Sequence, residues 1–204
     1  MDRLDTSIFA VPSQSSQGDL KSFLVAQHIV RTRLDKYTYL EIGSHLGGTL
    51  VPHLMDEACR LVYSVDKRPV SQLDERGVFF DYAGNSIDRM IDTLKRAIPE
   101  SALLKLITID SDISDVADID LRCKADLILI DAEHTNAAVF RDFINSLKFM
   151  NASFVAVFHD ANLLVDGLGN IEQFFAYQRM PFRSYFLPDY VFVVCVGEFA
   201  HVAD

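Results

Sequence analysis

Five apolar runs in the chain end in residues able to bind a ligand or move a proton. The run 37–42 ends at Gly43, 61–65 at Asp66, 106–109 at Asp110, 127–130 at Asp131, and 154–158 at His159 and Asp160; Asp112 and His134 follow closely. One or two such aspartates would be unremarkable as helix N-caps. So many at successive ends predict a functional edge. Carboxylates there can accept hydroxyl protons or hold a hard cation, and imidazoles titrate near neutral pH and can act as general bases.

The first run leads into Glu41-Ile-Gly-Ser-His-Leu-Gly-Gly48. Glycines there let the backbone turn sharply and approach a ligand. Thr49 is expected to cap a following helix, with Pro52 in its first turn. Asp66, at the end of the second run, is placed to accept the two hydroxyls of a ribose, which points to an adenosine-containing ligand. Two such ligands fit that far, a nicotinamide dinucleotide and S-adenosylmethionine. The middle position of the glycine loop is His45, whose side chain obstructs the close approach that a pyrophosphate needs. Glu41 would also repel a pyrophosphate but suits a sulfonium or amino group.

The elements that must position these residues follow from periodicity. The five runs are almost continuously apolar, as expected of strands buried on both faces in a parallel sheet. Helical patterns lie at 19–34, 49–59, 86–97 and 137–150. Strands 182–187 and 191–196 are separated only by Pro188, Asp189 and Tyr190, too short for a crossover, so they form an antiparallel hairpin. The prediction is an α/β fold: a doubly wound, seven-stranded, mostly parallel sheet with one antiparallel C-terminal strand. It occupies one domain over residues 1–204, with a helical lead-in at 1–36 and the sheet core at 37–197. Segments 67–85 and 161–175 read as loops. The second contains Gly167 and Gly169 and could serve as a lid, and Phe79, Phe80 and Tyr82 in the first read as core aromatics, with the lining of an acceptor pocket as the alternative. Asn85 and Ser86 are expected to cap the helix at 86–97, and His53 to be a surface or packing residue.

Composition narrows the function. The 204 residues are 50% hydrophobic with a net charge of −10, which disfavours nucleic acid and anionic membranes as partners. No apolar run approaches the roughly 20 residues that span a bilayer, and Met1–Ala10 lacks the apolar core of a signal peptide. Three scattered cysteines fit a reducing cytoplasm. The expected partner is a small-molecule acceptor, with a homo-oligomer possible.

The segments 41–48, 62–66, 125–134 (Ala-Asp-Leu-Ile-Leu-Ile-Asp-Ala-Glu-His) and 154–160 (Phe-Val-Ala-Val-Phe-His-Asp) together resemble class I S-adenosylmethionine-dependent methyltransferases. The nearest subgroup is the small catechol- and sugar-O-methyltransferase-like domains. The resemblance covers residues 18–197. It implies that Glu41, Gly43, Ser44 and Gly47 hold the methionine part of the cofactor and Asp66 the ribose. Ser111 and Asp112 would contact adenine, and Asp131 would lie near the sulfonium and the acceptor. Some relatives bind Mg²⁺ or another divalent ion after the fourth and fifth strands. Asp131 and Asp160 match two such ligands; Ala161 departs from the third, leaving Asn162 one position on. Asp131, His134 and His159 are the catalytic candidates for methyl transfer to oxygen of a sugar-like or phenolic acceptor. The alternatives are a non-catalytic domain that binds S-adenosylmethionine or its demethylated product and, further off, an NAD(P)-dependent oxidoreductase.

Overall fold

The computed structural model describes residues 4–117 and 122–201, so the first three residues of the N-terminal segment lie outside it. Its strands are β1 (Tyr37–Ile42), β2 (Cys59–Val65), β3 (Ser71–Leu73), β4 (Phe79–Asp81), β5 (Leu106–Ile109), β6 (Ala125–Ile130), β7 (Met150–Phe158), β8 (Phe182–Leu187) and β9 (Val191–Val196). The α-helices are α1 (Gln17–Arg31), α2 (Val51–Met55), α3 (Ile87–Ala97), α4 (Asn136–Ser146) and α5 (Val165–Tyr177). Seven strands form one sheet in the order β5-β2-β1-β6-β7-β9-β8. All pairs are parallel except those of β9, which runs antiparallel to both β7 and β8. This is the predicted doubly wound architecture, and the hairpin strands occupy the predicted residues.

Alternation along the strands fills two cores. Tyr39, Leu127 and Val155 join the core built with residues of α1, α2 and α3, whereas Leu40, Ile128 and Ala156 join that built with residues of α4 and α5. The chain leaves β1 toward β2 and β5, then returns to β6 on the other side of β1. The order therefore reverses between β1 and β6, and such a switch point opens a crevice at the strand ends. The two ends meet closely: a Cβ at Gly43 (φ +91°) would lie 2.2 Å from the Asp131 carbonyl oxygen.

The structure corrects several local expectations. α1 begins at Gln17 because Ser16 and Asp19 form a reciprocal capping box. α2 is a short helix without a side-chain cap. Thr49 instead donates to Glu41 Oε1 at 2.6 Å, and Asp56 leaves the helix by accepting from the Ala58 N–H at 2.9 Å. α4 stops at Ser146, and β7 starts at Met150. The supposed lid with Gly167 and Gly169 lies within α5; a Cβ on Gly167 would sit 2.4 Å from Val139 Cγ1, so this glycine lets α4 and α5 pack closely. The loop 67–85 contains the antiparallel β3–β4 hairpin. Its aromatics are not core: Phe79 is 73% exposed, while Phe80 and Tyr82 face a cavity. Ser86 does cap α3, and His53 is a buried packing residue stacked on Tyr39.

Candidate active site

A cavity of about 280 Å³ lies over the switch point, near the lower end of the ~300–1,000 Å³ typical of small-molecule pockets. One side of it is built by Gly43, Ser44, His45, Asp66, Ser111, Asp112 and Asp131. These are strand-end residues, and all but His45 were expected to bind cofactor. The other side comes from residues 12–15, from Gln72, Arg76, Phe80 and Tyr82 around β3–β4, and from His134, His159 and Asp160.

Asp66 is turned into the cavity and held there. Its Oδ2 accepts from the His45 N–H at 2.9 Å, and its Oδ1 from the Arg68 N–H at 2.7 Å. Asn85 Nδ2 also approaches Oδ2 at 3.4 Å, so of the roughly four lone-pair sites of a carboxylate about one is left for a ribose hydroxyl unless the Asn85 contact gives way. The Arg68 guanidinium supports the arrangement from behind, donating to the His45 carbonyl at 3.0 Å and to Asn85 Oδ1 at 2.7 Å. The Ser44 and Ser64 hydroxyls lie 2.5 Å apart. Ser111 donates to the Asp112 carbonyl at 3.1 Å, and Asp112 Oδ1 accepts from the Ser114 N–H at 3.0 Å.

Two residues of the glycine loop are placed elsewhere than the resemblance implies. Gly47 (φ +83°) packs against Met90 and Leu94 and does not line the cavity. Glu41 is fully buried on the opposite face from Ile42, accepting from Tyr39 Oη and Thr49 Oγ1, each at 2.6 Å. Burial pushes its carboxyl up to about 8. Glu41 therefore reaches the cavity only through Thr49, which lines it.

Asp131, His134, His159 and Asp160 form a chain of alternating carboxylates and imidazoles. Asp131 Oδ1 lies 3.0 Å from His159 Nδ1 and 3.3 Å from His134 Nε2, and His134 Nδ1 lies 3.0 Å from Asp160 Oδ2. His159 Nε2 in turn lies 3.3 Å from Asp19 Oδ2, in ion-pair range but without hydrogen-bond alignment. Burial works against charge on both rings, but the flanking carboxylates outweigh it: His134 is raised to about 10, and His159 is also raised. Burial disfavours charge on Asp131 as well, yet its two imidazole partners hold its carboxyl well below the usual carboxylate range. Thr135, not His134, caps α4, so His134 is free of that structural duty. Asp131, His134 and Asp160 each offer a ligand atom within 4.8 Å of the others. Asn162 is exposed and outside the cavity lining.

Backbone strain marks the same place. His45 (φ +45°), Arg68 (φ +48°) and Asp160 (φ +52°) are left-handed non-glycine residues. Such conformations cost of order 1–3 kcal/mol each and cluster at functional sites. Sequence patterning missed Arg68, Asn85, Gln72, Arg76 and the segment 12–15. The left-handed geometry at Arg68 leaves no compositional trace, and residues 12–15 reach the site only through the tertiary fold.

No family model and no curated protein sequence matches the chain. Solved structures do. The O-methyltransferase from Bacillus cereus in complex with SAH aligns with a TM-score of 0.61 at 12% identity, covering 95% of this chain and 87% of that one. A Staphylococcus aureus protein provisionally described as a caffeoyl-CoA O-methyltransferase aligns with a TM-score of 0.60 at 13% identity, covering 94% and 88%. The M. jannaschii TYW2 in complex with AdoMet aligns with a TM-score of 0.57 at 14% identity, covering 90% and 77%. The chain has the Rossmann-like methyltransferase fold. Among the described residues, no helix is long and apolar enough to cross a membrane.

Proposed function

We propose that the protein is an S-adenosylmethionine-dependent methyltransferase that transfers the methyl group to oxygen of a small-molecule acceptor. The observation that carries this reading is one cavity with two unlike sides: a glycine-loop, Asp66 and Asp112 side suited to an adenosine and its amino-acid tail, and an Asp131–His134–Asp160 side suited to a hydroxyl. The SAH and AdoMet complexes among the structural neighbours support the cofactor assignment.

The chemistry follows from placement. The main chain of 43–46 and Ser44 hold the amino-acid end, Asp66 accepts the ribose hydroxyls, and Ser111 with Asp112 borders the adenine. Asp131 stands where the two sides meet, at the point where the acceptor oxygen must line up with methyl and sulfur. Such alignment alone contributes about 7–11 kcal/mol to a bimolecular transfer. The methyl group passes from sulfur to the acceptor oxygen and leaves S-adenosylhomocysteine, and the acceptor proton goes to His134 when that ring is neutral or to solvent past the Asp131 and Asp160 carboxylates when it is not. Because both nitrogens of His134 face carboxylates, the ring is held protonated near neutral pH and donates to them. It becomes a proton acceptor only above its raised pKa or when those carboxylates are otherwise engaged.

A divalent cation fits the donor set of Asp131 and Asp160 with His134 as third ligand, in place of Asn162. Two hard oxygens and one imidazole suit Mn²⁺, Fe²⁺ or Zn²⁺ better than Mg²⁺, which takes oxygen ligands. Such an ion would lower the pKa of an acceptor hydroxyl. The test is transfer of labelled methyl from S-adenosylmethionine to a panel of phenols and sugars, with and without divalent ions, by wild type and Asp131→Asn. Turnover that Asp131→Asn abolishes supports the proposal; equal turnover by both proteins refutes the role of Asp131.

A further inference from the structure

The turn of the β3–β4 hairpin, Asp74-Glu75-Arg76-Gly77, is built to hold one guanidinium. Asp74 is 2% exposed. Its Oδ1 accepts from the backbone N–H groups of Arg76 at 2.9 Å and Val78 at 3.0 Å. Its Oδ2 accepts from Arg76 Nε at 2.8 Å and Arg76 Nη2 at 2.5 Å. This fork fixes the plane of the guanidinium and uses two of its five N–H donors. The remaining three have no protein partner among the described residues. Arg76 lines the cavity, and its side chain is 55% exposed, at the cavity mouth.

The turn is also tied to the reactive cluster. The Glu75 N–H donates to the carbonyl of His134 at 2.8 Å, and Glu75 Oε2 accepts from the Asn136 N–H at 2.7 Å. Arg76 thus sits one residue from a backbone bond to His134. The cross-strand pair Gln72 and Phe80 presents an amide and a ring to the same cavity. The other lysine or arginine of the lining, Lys67, is engaged by Glu133 at 3.2 Å and Asp112 at 3.8 Å.

We propose that Arg76 is a specificity-determining residue and that the acceptor is a hydroxylated compound bearing an anionic group, a carboxylate or a phosphate. This rests on the reading of the cavity as a methyl-transfer site. The reacting hydroxyl must approach Asp131 and Asp160, whose charge repels an anion. An anchor at the mouth holds the anionic group away from them and orients the hydroxyl inward. A neutral analogue leaves the guanidinium donors to water and gains nothing from them.

The experiment measures binding of matched probes to the protein saturated with SAH: galacturonate and galactose 6-phosphate against galactose, and caffeate against catechol. In wild type, at least one anionic member should bind about tenfold or more tighter than its neutral partner, the margin of one charge-assisted contact. The arm that shows the margin identifies the anion as carboxylate or phosphate. Arg76→Ala should erase the margin and Arg76→Lys should restore part of it, with SAH affinity within twofold of wild type in both. No preference for any anionic probe, or a preference that survives Arg76→Ala, overturns the proposal. Failure of wild type to bind SAH would instead overturn the cofactor reading, a separate result read before any acceptor is added.

Discussion

The two sides of the cavity are built in different ways. The side proposed for the cofactor is made of strand ends: Gly43 after β1, Asp66 after β2, Ser111 and Asp112 after β5, and Asp131 after β6. The sheet fixes their spacing, and backbone hydrogen bonds hold them, such as that from the Asp131 N–H to the Ile42 carbonyl at 2.9 Å. The side proposed for the acceptor is assembled from pieces far apart in sequence: residues 12–15, the β3–β4 hairpin, His134 in the loop after β6, and His159 and Asp160 after β7. It is held by isolated ties, such as the Glu75 N–H to the His134 carbonyl and the Asn136 N–H to Glu75 Oε2. The first side is set by the strand ends of the fold and the second by loops particular to this chain, and a shared fold by itself fixes the ligand of neither.

Substitutions should separate the two sides. The largest effect is expected at their junction. Asp131→Ala should lower kcat by about 10²–10⁴-fold, the range of positioned proton transfer, while SAH affinity measured by titration changes little. A parallel collapse of both would mean that Asp131 serves the fold and not the reaction. Next in size, Asp66→Ala should weaken SAH binding by about 10–100-fold, from loss of hydrogen bonds to a charged acceptor worth ~1.5–3 kcal/mol. Acceptor KM at saturating cofactor should stay near wild type.

The pH profile sharpens the contrast. The folded-state pKa of His134 is raised from 6.5 to about 10, so its stabilisation is complete below about pH 6.5 and is lost as pH rises toward 10. Melting temperature should fall across that window, and Asp131→Asn should lessen the fall. Turnover without added metal should rise over the same range, as His134 loses its proton. A turnover that peaks below pH 7 would exclude His134 as the base.

The smallest effect is expected at Glu41, which the family resemblance places on the cofactor and the structure places in the core. Glu41→Gln should change SAH affinity by no more than about twofold, because its carboxyl meets Tyr39 and Thr49 only. Its pKa is raised from 4.5 to about 8, so the folded protein holds this proton more tightly than the unfolded chain. Stability then declines from about pH 4.5 through pH 8, and Glu41→Gln should flatten that part of the curve. A large loss of SAH affinity would restore Glu41 to the binding site.

The same contrast explains what the sequence revealed. Strands buried on both faces are continuous apolar runs, so β1, β2, β5, β6 and β7 and their polar ends were legible, and the three-residue gap at 188–190 required a hairpin. Glu41 was misplaced because such strands show no polar–apolar alternation, so nothing in the run tells which side chain meets the cavity. The β3–β4 strands have three residues each, with exposed Leu73 and Phe79 outside and Gln72 and Phe80 inside. A pattern that short gives no period, and Arg76 looked like any surface arginine until Asp74 was seen beneath it. The lid expected around Gly167 failed because glycine signals close packing as readily as a turn.

The central claim, that the cavity is a cofactor site for methyl transfer, is tested most directly by calorimetric titration of the purified protein with S-adenosylmethionine, SAH and NADH. S-adenosylmethionine and SAH should bind at micromolar concentration and NADH not at all, and Asp66→Ala should weaken both markedly. Binding of NADH alone, or an SAH affinity untouched by Asp66→Ala, would contradict the claim.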